Sequence, residues 1–286
     1  MTRAEDTRVG RRWLALREPA DAAARSRELA EHLRRVLPST RPHVIHDLGC
    51  GTGAMGRWLA PRLPGPQHWI LHDRDADLVE LAAAEPPGPA ADGAIVTAEA
   101  ELSDIARLAP ADLAGTTLIT ASALLDMLTA EELVALVSVC ASARCPILLT
   151  LSVVGRVELI PPDPLDRCVA AAFDAHQRRT TERGRLLGPD AVALAVQELG
   201  RLGTEVFVRP SPWRLGGPDA ELAAEWFIGW EGAAREQRVE LAAQTDGYRR
   251  RRLAQAEAGR LAVRVEHADV LALPCAHPVW NRDESA

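Results

Sequence analysis

An α/β fold, built on a mainly parallel sheet with helices on both faces, is predicted by three observations. Short apolar runs alternate with helix-forming stretches from residue 44 to about 151. The first run, Val44-Ile45-His46-Asp47-Leu48, breaks into Gly49-Cys50-Gly51-Thr52-Gly53, with glycine at three alternate positions, and a helix then opens. At 286 residues, 47% of them hydrophobic, the chain can bury such a sheet between two layers.

Each element follows from its own pattern. Ala24, Leu29, Leu33 and Val36 recur at helical spacing, so the sequence predicts one helix over 21–37, stopped by Pro38. Residues 44–48 are the first strand and 54–60 the helix after the glycines. Trp69-Ile70-Leu71 marks a second strand over 67–73, and a helix over 76–84 stops before Pro86-Pro87-Gly88. Residues 94–97 read as a weaker third strand and 116–121 as the fourth. Thr129 and Glu132 form a capping box for a helix over 130–141, and 146–152 is the fifth strand. Further on, 165–179 and 189–202 read as helices, 205–208 and 261–265 as strands. Strands alternating with helices imply a parallel sheet, whose ligands bind at the carboxyl ends of its strands near the switch point, where Gly49 to Gly53 lie.

Composition narrows the class. Five cysteines (Cys50, Cys140, Cys145, Cys168, Cys275) contain no C-x-x-C and leave one over under full pairing, so reduced thiols are expected and no metal site. All 33 basic residues are arginine, against 40 acids, and the net charge of −7 argues against a nucleic-acid partner. The run Arg249-Arg250-Arg251-Arg252 reads as a solvated helix face. Arg156 and Glu158 interrupt the apolar stretch over 146–160, so no membrane span is expected, and the charged N-terminus lacks the apolar core of a signal peptide. A soluble, cytoplasmic protein acting on a small molecule is the expectation, with its oligomeric state open.

The glycine stretch carries the functional information. A backbone that turns sharply and admits a ligand where any Cβ would collide needs glycine. Gly51-Thr52-Gly53-Ala54-Met55-Gly56 also fits the G-x-G-x-x-G of dinucleotide-binding turns, with Asp73 suitably downstream for a ribose. Asp47 separates the alternatives: two residues before the first glycine, its carboxylate would repel a pyrophosphate and favour a ligand carrying positive charge. A ligand-free turn is the third reading, though three alternate glycines are a costly way to make one turn.

Residues 44–53 resemble motif I of the class I S-adenosylmethionine (SAM)-dependent methyltransferases at every defining position. From 44 to 151 the chain is similar to the small-molecule branch of that family, and its flanks at 13–25 and 173–230 look like those of an uncharacterised bacterial group. The resemblance implies a Rossmann-like, seven-stranded, mainly parallel sheet, closed by two antiparallel strands after the fifth. It implies SAM as cofactor, whose sulfonium and ammonium Asp47 would favour, and in-line methyl transfer to oxygen, nitrogen or carbon of a small metabolite. The expected organisation is an N-terminal helical cap over 1–40, a SAM-binding core over 41–155, and a substrate-side half over 156–286. That half completes the sheet and carries a helical insertion at about 219–259, over the active site. A nicotinamide oxidoreductase using the same turn, and a non-catalytic SAM-binding subunit, are the alternatives.

Site roles follow from the resemblance, residue by residue. Gly49, Gly51 and Gly53 underlie the cofactor, and Asp73 accepts both ribose hydroxyls, with Arg74 beside it; Asp75 is the alternative, and either acid can instead cap a helix. Glu101, with Leu102, takes the adenine amino group where the family usually has Asp, and Glu99 and Asp104 stand nearby. Ser122 and Asp126, after the fourth strand, lie near the methyl group, although Asp126 reads equally as an exposed turn acid. His176 is a candidate base or a structural histidine. Trp213, Arg214, Trp226 and Trp230 either line an apolar pocket with one cationic anchor or pack a helix on the sheet. Arg17, Asp21 and Arg25 share one helix face: either Arg25, oriented by Asp21, pairs with the methionine carboxylate of SAM, or the three form an exposed ion-pair ladder.

Overall fold

The computed structural model describes residues 10–37 and 41–275. Pro38, the polar N-terminus read for a leader and the last eleven residues of the expected substrate-side half lie outside them.

Two helices, α1 (Arg11–Ala24) and α2 (Arg27–Val36), precede the sheet. Strand β1 (His43–Leu48), buried at five of its six positions, pairs in parallel with β2 (Gln67–Asp73) on one side and β4 (Leu118–Ser122) on the other. Strand β3 (Val96–Leu102) continues beyond β2 and β5 (Ile147–Ile160) beyond β4, both parallel. Helices α3 (Ala54–Leu59), α4 (Ala76–Ala84) and α5 (Ala130–Ser142) lie in the crossovers. After β5 come α6 (Asp166–Gln177), a small hairpin of β6 (Thr180–Thr181) and β7 (Gly184–Arg185), α7 (Ala191–Arg201), β8 (Thr204–Pro210) and β9 (Trp213–Leu215). The chain then forms α8 (Ala220–Gln237), α9 (Ala242–Glu257) and β10 (Ala262–Pro274).

The sheet runs β3-β2-β1-β4-β5-β10-β8, and β9 also pairs with β10. Pairings Ala268↔Pro210 and Val265↔Trp213 keep one register across Ser211-Pro212, so β8 and β9 are one strand position, interrupted where proline cannot donate to the ladder. The result is the expected Rossmann-like sheet of seven positions, mainly parallel. One detail is corrected: β10 alone runs against its neighbours, because β8 is antiparallel to β10 and therefore parallel to β5. The order reverses at β1 and β4, and their carboxyl ends define the switch point.

Two apolar cores fill the faces of the sheet, one reached by α5 and α7 and the other by α2 and α3. A third forms around the far halves of β5 and β10, where α6, α8, α9 and one face of α1 converge. There Trp226 and Trp230 are buried and stacked, centroids 5.2 Å apart, so they pack the core. The arginine run is a set of ties rather than a solvated face: Arg249 pairs with Glu231 at 2.9 Å, Arg251 with Asp163 at 2.7 Å, and the buried Arg252 donates to both oxygens of Asp166 at 2.6 Å. Only Arg250 of the four fits the exposed face without such a tie among the described residues.

Two elements depart from their patterns. The helix expected over 21–37 is broken at Arg25-Ser26, where the Ser26 side chain accepts from Leu29 N at 3.2 Å and starts a second helix. Strand β3 lies later than 94–97 because it is an edge strand: Thr97, Glu99 and Glu101 face solvent while Val96, Ala98 and Ala100 turn inward, an alternation without an apolar run. No helix among the described residues is long and apolar enough to cross a membrane.

Candidate active site

A cleft of about 980 Å3 opens over the carboxyl ends of β1, β2 and β4, with Leu14, Arg17, Asp21 and Arg25 of the first helix and its cap along one wall. Its floor is the glycine turn. Gly49, Gly51 and Gly53 have φ of +69°, +55° and +82°, values that side chains other than hydrogen rarely tolerate. A Cβ on Gly49 would also stand 3.1 Å from Leu124 Cδ1. The turn is held to β2 by Cys50 N donating to His72 O at 2.8 Å and Gly51 N donating to Asp73 Oδ2 at 2.9 Å.

Asp73, Arg74 and Asp75 line the cleft where β2 ends. Asp73 Oδ1 accepts from Asp75 N at 3.0 Å, and Asp75 caps α4 by accepting from Asp77 N at 3.0 Å. Each Asp73 oxygen has one donor in these contacts and keeps a further lone pair for a ligand hydroxyl.

Asp47 and Arg25 are the most buried charges of the cleft, 1% and 3% exposed. Asp47 Oδ1 accepts from Thr120 Oγ1 at 2.7 Å, across the β1–β4 pairing, whereas Oδ2 has no hydrogen-bond partner among the described residues. Burial pushes its carboxyl up to about 6. Arg25 lies over the Trp58 ring at 5.5 Å, and its Nη2 donates to Ser122 Oγ at 3.1 Å; Nε and Nη1 are unpartnered among the described residues. Ser122 is fixed by Thr150 Oγ1 at 3.1 Å. A buried guanidinium and a buried carboxylate with spare donors and acceptors thus face one cleft, which burial makes unfavourable unless something completes them.

The ladder of α1 is neither exposed nor organised around Arg25. Asp21 is buried, accepts from Arg17 Nε at 2.9 Å and from Trp213 Nε1 at 2.9 Å, and gives Arg25 only its backbone carbonyl. Arg17 also lies over the Trp213 ring at 5.1 Å. Arg214 is exposed.

The later site residues are redistributed. Glu101 and Leu102 belong to β3 itself, because the strand runs longer than expected. Glu101 Oε2 lies 3.4 Å from His72 Nδ1, Leu102 is 63% exposed, and the cleft wall is made instead by Ser103, Asp104 and Ile105. Asp104 is thus the acid that lines the cleft just beyond β3, and its Oδ1 accepts from Ala106 N at 3.0 Å. His176, near the C-terminus of α6, turns toward α8: its Nε2 lies 3.2 Å from Glu236 Oε2, away from the lining of the cleft. Asp126 sits in the 3-10 turn Leu125–Met127, half-buried between the cleft residues Leu124 and Met127. Burial pushes its carboxyl up to about 6, against the opposing positive charges of Arg17 and Arg179. Between β4 and this turn, Ala123 is held at φ +52°, a strained value for a residue with a Cβ. The insertion over 219–259 contributes no lining residue among the described ones; α8 packs behind α1 instead.

No family model matches the chain, and no curated protein matches it. Among solved structures it is similar to the cyclopropane synthase MmaA2 from Mycobacterium tuberculosis, at 12% identity over 92% of this chain and 94% of that one, with a TM-score of 0.48. A SAM-dependent methyltransferase from Geobacter sulfurreducens, in complex with S-adenosyl-L-homocysteine, is similar at 18% identity over 92% and 98%, TM-score 0.42. A geranyl diphosphate methyltransferase in complex with GPP and sinefungin is similar at 11% identity over 86% and 77%, TM-score 0.44. At these scores the functional reading rests on this chain's own cleft.

Proposed function

We propose that this chain is a cytoplasmic SAM-dependent methyltransferase acting on a small-molecule acceptor. The observation that carries the reading is the pair Arg25 and Asp47, opposite charges with unpartnered polar atoms on one cleft. An α-amino-acid tail supplies the carboxylate for Arg25 and the ammonium for Asp47, and a dinucleotide pyrophosphate supplies no cation for a buried carboxylate.

The remaining roles follow along the cleft. Backbone at Gly49, Gly51 and Gly53 allows close approach of the cofactor, Asp73 accepts the ribose hydroxyls, and Leu78 and Ile105 flank the base, with Asp104 receiving its amino group. Arg74 and Ser122 complete the cofactor wall, Ser122 by orienting Arg25. SAM bound there supplies a methyl group already activated by a sulfonium.

The protein's task is then alignment, to which a base adds about 10²–10⁴ when the acceptor must lose a proton. The base we assign is Asp126, which does not itself line the cleft but lies between the lining residues Leu124 and Met127; desolvation raises its carboxyl to about 6, a value suited to accepting a proton near neutral pH. His176 is left a structural role, because its Nε2 already faces Glu236. Leu14, Arg17, Met127, Leu128 and Arg183 surround the space beyond, where the acceptor sits.

Incubation with SAM and a panel of small metabolites, read as release of S-adenosylhomocysteine (SAH), tests the reading. Acceptor-dependent release supports it. Tight binding of SAM without release by any acceptor leaves the non-catalytic subunit as the function.

A further inference from the structure

Asp269, in β10, is 1% exposed and lies outside every motif of the sequence. Its Oδ2 accepts from Ser26 N at 2.7 Å, and its Oδ1 accepts from Leu151 N at 2.8 Å and Ser211 Oγ at 2.6 Å. Each donor sits at a break in regular structure. Ser26 lies between α1 and α2. Leu151, at φ +55°, is in a bulge, since Ala268↔Ser152 and Val270↔Leu149 leave an extra residue in β5 opposite Asp269. Ser211 separates β8 from β9. Two of the three are backbone N–H groups that helix and ladder no longer serve, the third is the Ser211 hydroxyl, and one carboxylate satisfies them all through short, charge-assisted bonds.

The consequence for the cleft lies one residue before Ser26. Arg25 occupies the extended link (φ −52°, ψ 138°), so the placement of its guanidinium depends on how the Ser26 backbone is held. Asp269 also acts on Arg25 electrostatically across the buried space, along with Asp21 and Asp47. Of these, Asp21 is engaged by Arg17 and Trp213, and Asp47 belongs to the cleft. Asp269 thus shares with Asp21 and Asp47 the negative charge that offsets the cost of burying Arg25, and of the three it alone also holds the Ser26 backbone.

We propose that Asp269 is a positioning residue for the amino-acid end of the cofactor: by fixing Ser26 N it sets Arg25 against the ligand carboxylate, without touching the ligand. The inference rests on the SAM reading, and it separates two halves of one site. Asp73, Gly51 and Asp104 serve the adenosine end and are joined to β2 and β3. Arg25 is joined to β10 through Asp269.

The test is titration of the wild-type chain and Asp269→Asn with two ligands, SAH and 5′-methylthioadenosine, which shares the adenosine end and lacks the amino-acid tail. In the best-accommodated orientation the Asn oxygen serves Leu151 and Ser211, and its NH2 group opposes Ser26 N–H, so the hold on Ser26 is lost. Asp269→Asn should weaken SAH at least fivefold and leave methylthioadenosine within twofold. Parallel loss of both ligands, as from general loosening, or unchanged SAH overturns the inference. If Asp269→Asn does not fold, Ser26→Pro takes its place: Ser26 stands at φ −66° and Arg25 is extended as a residue before proline must be, so the ring fits while the N–H held by Asp269 Oδ2 is lost, and the same split at two- to threefold is required. A wild-type chain that binds neither ligand refutes the SAM reading instead, which distinguishes the two failures.

Discussion

The Asp73 carboxylate accepts the Gly51 N–H at 2.9 Å, which couples the carboxyl end of β2 to the middle of the glycine turn. The residue expected to hold the ribose is therefore also one that shapes the floor beneath it.

Asp73→Ala should weaken SAM binding by about 1.5–3 kcal/mol, the range for hydrogen bonds to a charged group. Calorimetry measures it. A dissociation constant unchanged in a folded variant would move the ribose role to Asp75, which lines the same cleft.

Cofactor affinity should depend on pH through Asp47. Its carboxyl is raised to about 6 by burial, so it is protonated below that pH and ionised above it. A ligand ammonium favours the ionised form, and affinity should therefore fall by about fivefold between pH 6 and pH 5, and be flat above pH 7. Asp47→Asn should bind weakly and lose this dependence. A pH-independent wild-type affinity would contradict the role given to Asp47.

The rate should show a separate acid limb from Asp126, whose carboxyl also stands at about 6. With SAM saturating, turnover should rise with pH toward a plateau above about 7, because only the ionised carboxylate accepts a proton. Asp126→Asn should lower turnover by about 10²–10⁴ at nearly unchanged SAM affinity. Loss of less than tenfold would leave alignment alone as the source of catalysis.

Much of this molecule was legible in its sequence, and the exceptions have physical causes. Strands buried on both faces, such as β1 and β2, announce themselves as apolar runs, and the alternate glycines of the turn all proved to have positive φ. β3 did not, because an edge strand with one wet face carries Thr97, Glu99 and Glu101 at alternate positions; its later end leaves Asp104 rather than Glu101 on the cleft wall. Arg25 was found by spacing, but Asp21 acts on it through charge and a backbone carbonyl only, its carboxylate being hydrogen-bonded to Arg17 and Trp213. Trp213 comes from a strand nearly two hundred residues away, a contact that helical periodicity cannot express. Asp269 and Thr120 left no local signal: the donors to Asp269 are freed by breaks in the folded chain, and Thr120 donates to Asp47 only across the β1–β4 pairing.

Stability should depend strongly on the tie between α6 and α9. Arg252 is 1% exposed and donates to both Asp166 oxygens, while Tyr248 donates to Oδ1 at 2.8 Å. Asp166→Ala leaves the buried Arg252 guanidinium without its carboxylate, with only Pro161 O and Gln255 Oε1 as acceptors, and should cost about 3–5 kcal/mol in urea unfolding. SAM affinity per folded molecule should be unchanged, since this pair lies in the third core, away from the cleft. A cost below about 1 kcal/mol would mean that water reaches Arg252 in solution.

With Arg25 and Asp47 on one cleft, the chain should take an adenosyl amino acid and refuse a dinucleotide. Titration calorimetry of the wild-type chain with SAH and with NADH separates the two. Saturable binding of one SAH per chain and no heat with NADH at the same concentrations is the expected result; NADH binding with no response to SAH would assign the cleft to a dinucleotide.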